Sequence, residues 1–517
     1  MTNLTMPISF LKKHSYYITA ILLISFAPYF IFYNHNFEQI TFNQTIQPLM
    51  FLSLLVLFMF VILYFLFNIF PKYYKLIFAS SIVLLIFIIN FDYIYYDLMR
   101  KVPLMESYFD PKLIFLFVYL LGVYTFLNLL KINFIKNFFL FYCIFLLVTP
   151  ALGLCLKYLN NNEDNIQNEP KAEDRLLERQ DISNNESILK ENVYFILLDG
   201  YASEKTFSRK SFNNNSFYKY LKNSNFKILG DQAAYNMSYL SLTSIFNLSY
   251  PVVEGYFYNN RINFYPFLLK KDDAPPLIEK LENLQYEFIF YGNTWSGCKK
   301  LYVKCGNPSG NFITYESFIF FQKTALKFLI NESHDYQYDA ISNFLQEDSK
   351  VKMQDAKFHF FHHFSPHPPY LENDCKTLKP VNLKDEGPFE DYLVSVKCVN
   401  SLVIEFIAYI DKNDPSAIII IQSDHGPETN PNIWLESTDL IENVDVDNRV
   451  SILNSIRSPK KCDKWLKNNL GPINTTRFVL GCLEQEEPIY IEEKTFIGFQ
   501  EEHEDFGTVK EFNSILR

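Results

Sequence analysis

The chain has 517 residues, of which 17% are aromatic (52 of them Phe), and a formal net charge of −10. That length is too great for one ordinary domain, and the acidic balance excludes a nucleic-acid partner. The apolar residues are unevenly spread, with Phe, Leu, Ile and Tyr crowded into the first third.

Five stretches, near 16–34, 48–70, 75–92, 112–130 and 134–156, are apolar enough to span a bilayer, which takes roughly 20 residues each. So little polar sequence separates them that buried core helices do not explain them. The basic residues set the orientation. Lys12 and Lys13 precede the first stretch, Lys72 and Lys75 lie between the second and third, and Lys131 and Lys136 between the fourth and fifth. The 35–47 loop has no Lys or Arg, while Arg100 and Lys101 run mildly against the pattern. The balance puts the N-terminus in the cytoplasm, so everything after residue 157 is expected outside it. The first stretch reads as a retained anchor, since no small-residue cleavage site follows it. The spans carry almost no central charge, which speaks against a transporter.

Residues 157–191 form an Asn/Glu-rich polar bridge, with a possible short helix at AEDRLLERQ. From 192 onward strand-like runs (193–198, 226–229, 286–291, 358–364, 417–423, 495–499) alternate with helical ones (214–223, 275–284, 317–330, 337–346, 389–411). That alternation predicts an α/β domain, a mostly parallel sheet with helices on both faces. The expected organisation is a membrane domain at 1–156 with five helices, a linker at 157–191 and an extracytoplasmic catalytic domain at 192–517, all in a multi-pass protein of the cell (inner or plasma) membrane.

Cys143 and Cys155 fall in the last span, leaving Cys298, Cys305, Cys375, Cys398, Cys462 and Cys482. An even number beyond the membrane suits an oxidising compartment. Of the 15 pairings that six cysteines allow, the sequence-near set is favoured: 298–305, 375–398 and 462–482. A zinc cluster is the rival, but no CxxC pair occurs.

Three runs carry chemistry. Ile418–Gly426 is a β-branched strand that stops at Asp424-His425-Gly426. Asn192–Tyr201 repeats the design and stops at Asp199-Gly200. Open α/β sheets place their sites at such carboxyl ends, and carboxylate with imidazole is a ligand pair for a divalent metal. The third run, Phe358–Tyr370, ends with His367 between prolines that hold its loop extended. A nucleophile for phosphoryl transfer should come from Ser238, Ser241, Thr243 or Ser244, near the start of a helix whose positive end favours phosphate. The residues alone leave the choice among the four open, with ordinary N-capping as the plain alternative.

LLDGY, Ser238-x-x-Ser241-Leu-Thr-Ser244-x-x-Asn247, SPHPPY, QSDHGP and Asn474-Thr-Thr-Arg477 follow one another in that order. Over roughly residues 190 to 500 this resembles the alkaline phosphatase superfamily in its sulfatase-like branch, nearest to membrane-anchored lipoteichoic acid synthases and phosphoethanolamine transferases. The resemblance implies an alkaline-phosphatase-like sheet. It makes Ser238 both nucleophile and metal ligand, although the related transferases more often carry Thr there, so Thr243 is the fallback. It implies one divalent ion (Mn, Mg or Zn) on Asp199, Ser238, Asp424 and His425. Gly200 stands where sulfatases carry a second Asp, which favours one metal over two. No Cys/Ser-x-Pro-x-Arg motif lies near 238, so sulfate-ester hydrolysis is not expected. His367 would contact the substrate phosphate or protonate the leaving oxygen. Arg449 would bind substrate anions; for Arg449 and Arg477 alike, a structural salt bridge is an equal alternative. His359, His362 and His363 read mostly as packing or supporting residues, and His503 matches no motif.

The expected activity is a transferase that moves a phosphate-linked head group from a membrane lipid donor to a glycan or lipid acceptor through a covalent Ser238 intermediate. The alternatives are a phosphodiesterase or phosphatase of the same superfamily, and a catalytically silent envelope-binding protein.

Overall fold

The computed structural model describes residues 14–37, 42–89, 111–129, 131–160, 189–257, 274–292, 303–305, 320–321, 324, 336–347, 356–368, 370–376, 389–427, 443–499, 505 and 507–512. The chain forms two compact units, Met1–Glu169 with Ser309–His334, and Pro170–Pro308 with Asp335–Arg517.

The first unit contains α1 (Ser15–His35), α2 (Phe42–Ile69), α3 (Tyr74–Ile89), α4 (Pro111–Leu129) and α5 (Asn133–Asn160). Its interior joins Ala20, Ile21 and Ile24 of α1, Leu63 and Phe67 of α2, Phe78, Ile82 and Leu85 of α3, and Cys143 of α5. The outside is as apolar as the inside: Leu54, Leu57, Phe58 and Phe65 of α2 and Phe117, Leu120 and Leu121 of α4 are exposed. In water such a surface would be a large association patch. In a bilayer it is the required one. Residues 309–334 group with this unit, although the sequence pattern assigns them to the catalytic part.

The second unit runs β1 (Val193–Leu198), α6 (Glu204–Arg209), α7 (Asn215–Asn223), β2 (Lys227–Ile228), α8 (Ser238–Asn247), α9 (Pro276–Asn283), β3 (Glu287–Tyr291), β4 (Lys304–Cys305), α10 (Tyr336–Glu347), β5 (Lys357–His363), α11 (Phe389–Asn413), β6 (Ile418–Ser423), α12 (Asn443–Val450), β7 (Asn454–Arg457), α13 (Pro472–Glu484), β8 (Phe496–Gly498) and β9 (Val509–Glu511). Seven strands form one sheet in the order β2-β7-β6-β1-β5-β3-β4. Only β7 opposes its neighbours, so the sheet is mostly parallel, as expected. Alternate residues of the central strands feed two cores. Val193, Phe195, Leu197, Phe358 and Phe360 pack with residues of α8, α9 and α13. Tyr194, Ile196, Leu198 and Phe361 pack with those of α7, α10 and α11. Both faces are therefore covered, which is why these strands read as unbroken apolar runs.

By length and composition, five described helices are apolar enough to cross a membrane: Ser15–His35, Thr45–Ile69, Pro71–Ile89, Asn133–Lys157 and Phe389–Asn413, with a shorter apolar helix at Phe117–Leu129. Phe389–Asn413 is α11 and belongs to the α/β unit. It buries Tyr392, Val396, Val399, Val403, Phe406 and Ile410 and exposes Lys397, Glu405, Asp411 and Lys412, the pattern of a helix with one face on a sheet.

Cys375 and Cys398 are bonded with Cα atoms 5.4 Å apart, as are Cys462 and Cys482, also at 5.4 Å. Both pairs match the sequence-near expectation. Cys298 lies outside the described residues, as do His503 and most of the 317–330 helix candidate.

Candidate active site

Sheet register builds the site. β1 lies between β6 and β5, with Leu198 opposite Ser423 on one side and His363 on the other. The next residue on each neighbour is therefore level, and Asp199 and Asp424 emerge side by side at the carboxyl edge. Strands in a sheet are about 4.8 Å apart, close enough for two carboxylates to share an ion. Ligand-capable atoms of Asp199, Asp424 and His425 lie within 4.8 Å of one another, all buried.

Two glycines let the chain turn away beneath them. Gly200 has φ +72° and its N–H donates to Asp424 Oδ1 at 3.1 Å. At Gly426 a Cβ would come within 2.0 Å of the Asn448 carbonyl oxygen, so no larger residue fits there.

Ser238 opens α8, and its Oγ is 2.9 Å from His425 Nε2. The other three candidate hydroxyls do not meet the cluster. Ser241 Oγ donates to the Tyr235 carbonyl at 2.9 Å and Ser244 Oγ to the Ser241 carbonyl at 2.7 Å. Thr243 Oγ1 is buried without a hydrogen-bond partner. Among the four, Ser238 is the one the fold brings to the carboxylates.

The polar accounting around the cluster fits a cation. Asp199 Oδ1 and Asp424 Oδ2 are buried and accept no hydrogen bond, an expensive state for a carboxylate. His425 Nδ1 donates to the Gly426 carbonyl at 2.9 Å, which leaves the Nε2 lone pair facing inward, as a metal-ligating imidazole requires. That nitrogen is 3.5 Å from Asp199 Oδ1 and 3.4 Å from Asp424 Oδ2. Three electron-rich atoms thus face a common point.

The charges respond accordingly. Burial, and then the Asp199 charge, push the Asp424 carboxyl up to about 6. Burial works upward on Asp199 too, but the imidazoles of His367, His362 and His425 outweigh it and hold that carboxyl below the usual range. Burial, then the Arg449 guanidinium, push His425 down to about 3, so its ring is neutral and able to ligate.

His367 and Arg449 flank the cluster. Both line a small cleft with Pro366, Tyr370, Tyr392 and His425. The His367 and His425 rings are 6.5 Å apart, and His367 is half-buried at the cleft rather than in the core. Its Nδ1 donates to the Pro368 carbonyl at 2.7 Å. Arg449 donates to the carbonyls of Asn236 at 3.0 Å and Gly426 at 3.1 Å, and its Nη2 is 3.3 Å from His425 Nε2.

Arg477 corrects its expectation. Among the described residues it neither lines the cleft nor forms a salt bridge. Its guanidinium is buried and donates to the carbonyls of Leu248 at 2.9 and 2.6 Å and Ile489 at 2.8 Å. Leu248 is the left-handed C-cap of α8, so a cation meets the negative end of that helix.

Two further residues support the cluster, His362 in the supporting role its strand position suggested and Tyr392 without any sequence signal. His362 Nε2 is 3.3 Å from Asp199 Oδ2 and fixes that carboxylate from β5. Its place on the strand, alternating with Phe361 and level with Leu197, was the available signal. Tyr392 Oη donates to the Gly200 carbonyl at 3.1 Å and accepts from Ala202 N at 2.9 Å. Nothing in the α11 pattern separates it from a core residue.

The sulfatase family model matches residues 192–462, just over half of the chain. Among solved structures, the chain is similar to the C-terminal periplasmic domain of EcEptC from Escherichia coli in a complex with Zn (12% identity, 64% of this chain and 95% of that one, TM-score 0.39). It is also similar to the integral membrane lipooligosaccharide phosphoethanolamine transferase A (EptA) from Neisseria meningitidis (13% identity, 90% and 95%, TM-score 0.38). A third is the C-terminal periplasmic domain of phosphoethanolamine transferase EptC from Campylobacter jejuni (13% identity, 57% and 90%, TM-score 0.37). All are distant likenesses. A search of curated proteins found no match.

Proposed function

The protein belongs to the sulfatase family and is an enzyme of that superfamily, and from this premise we propose that it is a metal-dependent transferase. It moves a phosphate-linked head group from a membrane lipid donor to an acceptor hydroxyl on an envelope glycan or lipid. Residues 1–156 would anchor it by five spans in the cell membrane, 157–191 would link, and 192–517 would work on the extracytoplasmic side. The observation that carries this reading is the meeting of Ser238 Oγ, at 2.9 Å from His425 Nε2, with the buried, unbonded oxygens of Asp199 and Asp424.

Asp199, Ser238, Asp424 and His425 would hold one divalent ion (Mn, Mg or Zn). When bound, such an ion lowers the pKa of a coordinated hydroxyl and neutralises phosphate oxygens. Ser238 Oγ, already ionised with its proton given up to solvent, attacks phosphorus, a phosphorus–oxygen bond forms, and the bond to the donor's leaving oxygen breaks. His367 supplies the proton that this oxygen takes up. Ser238 then carries the head-group phosphate as a diester. An acceptor hydroxyl attacks the same phosphorus, its proton passes back to His367, and Ser238 is released. Arg449 offers its guanidinium to the phosphate oxygens from across the cleft. His362 keeps Asp199 oriented. Seated at the first residue of α8, the nucleophile also has the positive helix end behind the phosphate.

The test is mass spectrometry of envelope lipids and glycans from a strain lacking the protein, complemented with the wild type or with Ser238→Ala. A phosphate-modified acceptor should appear only with the wild type. Release of a free head group, with no modified acceptor, would assign the hydrolase alternative. An unchanged profile with Ser238→Ala would reject the nucleophile.

A further inference from the structure

His367 sits between two anchors. On its N-terminal side β5 ends at His363, whose carbonyl accepts the Asp199 N–H at 3.0 Å, so this end is tied to β1. The His367 N–H then donates to the Phe364 carbonyl at 2.9 Å, and the two rings are 4.5 Å apart. On its C-terminal side the loop is held by α11. Tyr370 meets Tyr392 edge-on at 6.2 Å, the Leu371 N–H donates to Ser395 Oγ at 2.7 Å, and Cys375 is bonded to Cys398. Tyr392, Ser395 and Cys398 are spaced by three residues, so they follow one another along one side of the helix.

The same helix grips the other half of the site. Tyr392 Oη bonds both the Gly200 carbonyl and the Ala202 N–H. Tyr201 Oη donates to Asn400 Oδ1 at 2.6 Å, Asn400 Nδ2 to Asn214 Oδ1 at 2.8 Å, and Asn214 Nδ2 back to Tyr201 Oη at 2.8 Å, a closed ring of three bonds. The turn that follows Asp199 is therefore fixed from α11, as is the loop that carries His367. Val396, Val399, Val403 and Phe406 seat α11 in the core, which gives it one register on the sheet. The separation of two pieces that come from different strands, β1 and β5, is thus set by a single packed helix.

We propose that Ser395 is a positioning residue: by holding Leu371 it sets where His367 stands at the cleft. The inference rests on the reading of His367 as the group that protonates the leaving oxygen. Ser395 is wholly buried, outside the described wall of the cleft, so it reaches the reaction only through the loop. Alanine there would leave the Leu371 N–H, on a buried residue, without its acceptor, which a buried donor does not tolerate cheaply. The loop would resettle between its two remaining anchors, and a misplacement of about 1 Å is enough to cost about 10²-fold in rate. The loss falls on proton delivery. Ser238 opens α8, and Asp424 and His425 follow β6, so none of them depends on Leu371.

The experiment uses the full chain, purified in detergent and loaded with zinc, and compares two phosphodiesters. One releases a nitrophenolate, which departs without a proton, and the other an alkyl alcohol, which needs one. Ser395→Ala should slow the alkyl diester by on the order of 10–10²-fold and leave the aryl diester, the zinc stoichiometry and the near-ultraviolet circular dichroism unchanged. His367→Ala is the control and should show the same selectivity with a larger loss. Equal slowing of both diesters by Ser395→Ala, or slowing of neither, would overturn the proposal while selective loss in His367→Ala keeps the acid. An unselective loss in His367→Ala would overturn the acid and the proposal with it. Should Ser395→Ala misfold, Cys375→Ala/Cys398→Ala frees the same loop one turn farther along α11 and is judged by the same two rates: a selective loss supports the proposal and an unselective one overturns it.

Discussion

Two buried histidines on one sheet show what separates a site from a core. His425 and His359 are both almost wholly buried, and burial is the first cause pushing each down to about 3. Around His359 everything is satisfied. Its Nδ1 is 2.9 Å from Tyr291 Oη, and its ring lies flat on Tyr194 at 4.7 Å. Around His425 the books stay open, with two carboxylate oxygens that accept nothing. Burial and a depressed pKa are thus common to both. The uncompensated anionic pair belongs to one, and it is the mark of function.

That contrast makes unequal demands on mutants. Ser238→Ala should abolish measurable turnover, by on the order of 10⁴-fold or more if attack by this oxygen is the only route. Its thermal unfolding should stay near wild type, since Ser238 is half-exposed at the head of α8. Intact-mass analysis of rapidly quenched wild type should show a phosphate-linked adduct that this variant lacks. An adduct on Thr243 would move the nucleophile within the same helix.

His367→Ala should lower turnover of a phosphodiester by about 10²–10⁴-fold, the usual worth of a general acid–base group. Metal content and fold should not change, because the side chain stands at the cleft and outside the cluster of Asp199, Asp424 and His425. Near-normal turnover would make the proline-flanked loop structural.

The core histidine should behave oppositely. His359→Phe loses a buried hydrogen bond, a cost of about 0.5–1.5 kcal/mol, and leaves turnover per folded molecule unchanged. It should also alter the pH dependence of stability. In the folded state His359 sits at about 3 against 6.5 for the free side chain. Between those values the unfolded chain binds the proton and the folded one does not, so stability falls as pH drops from 6.5 toward 3. Removing the imidazole should make that fall shallower, as read by denaturant midpoints at pH 7 and pH 5. An equal slope in the variant would mean that His359 does not contribute.

Much of this was legible in the sequence for a physical reason. β1 and β6 are buried on both faces, so they appear as unbroken apolar runs, and their abrupt stops put Asp199 and Asp424 at one edge before any coordinates exist. β7 carries no strand signal in the sequence because Asn454-Ser455-Ile456-Arg457 is short and polar. Its Asn454 is tied to Gln422 and Thr475 by side-chain bonds that no periodicity reveals. The first half of α13 shows no amphipathic pattern in the sequence, because its polar Asn474, Thr475, Thr476 and Arg477 are all buried. Their partners lie far off in sequence: Asn474 bonds the Ile491 carbonyl and Glu493, and Arg477 bonds Leu248. In α11, hydropathy alone suggests a membrane span, and only the charged outer face shows otherwise. The grouping of 309–334 with the helical unit was hidden because an aromatic run looks the same whichever core receives it.

The most direct test of the metal-centred reading is a calorimetric titration of metal-stripped protein with zinc and with manganese. Wild type should bind one ion per chain, and Asp424→Asn should bind none at the same concentrations while its metal-free form is at least as stable, since it no longer buries two adjacent carboxylates. Equal binding by wild type and Asp424→Asn would mean that the Asp199, Asp424 and His425 cluster does not hold the ion.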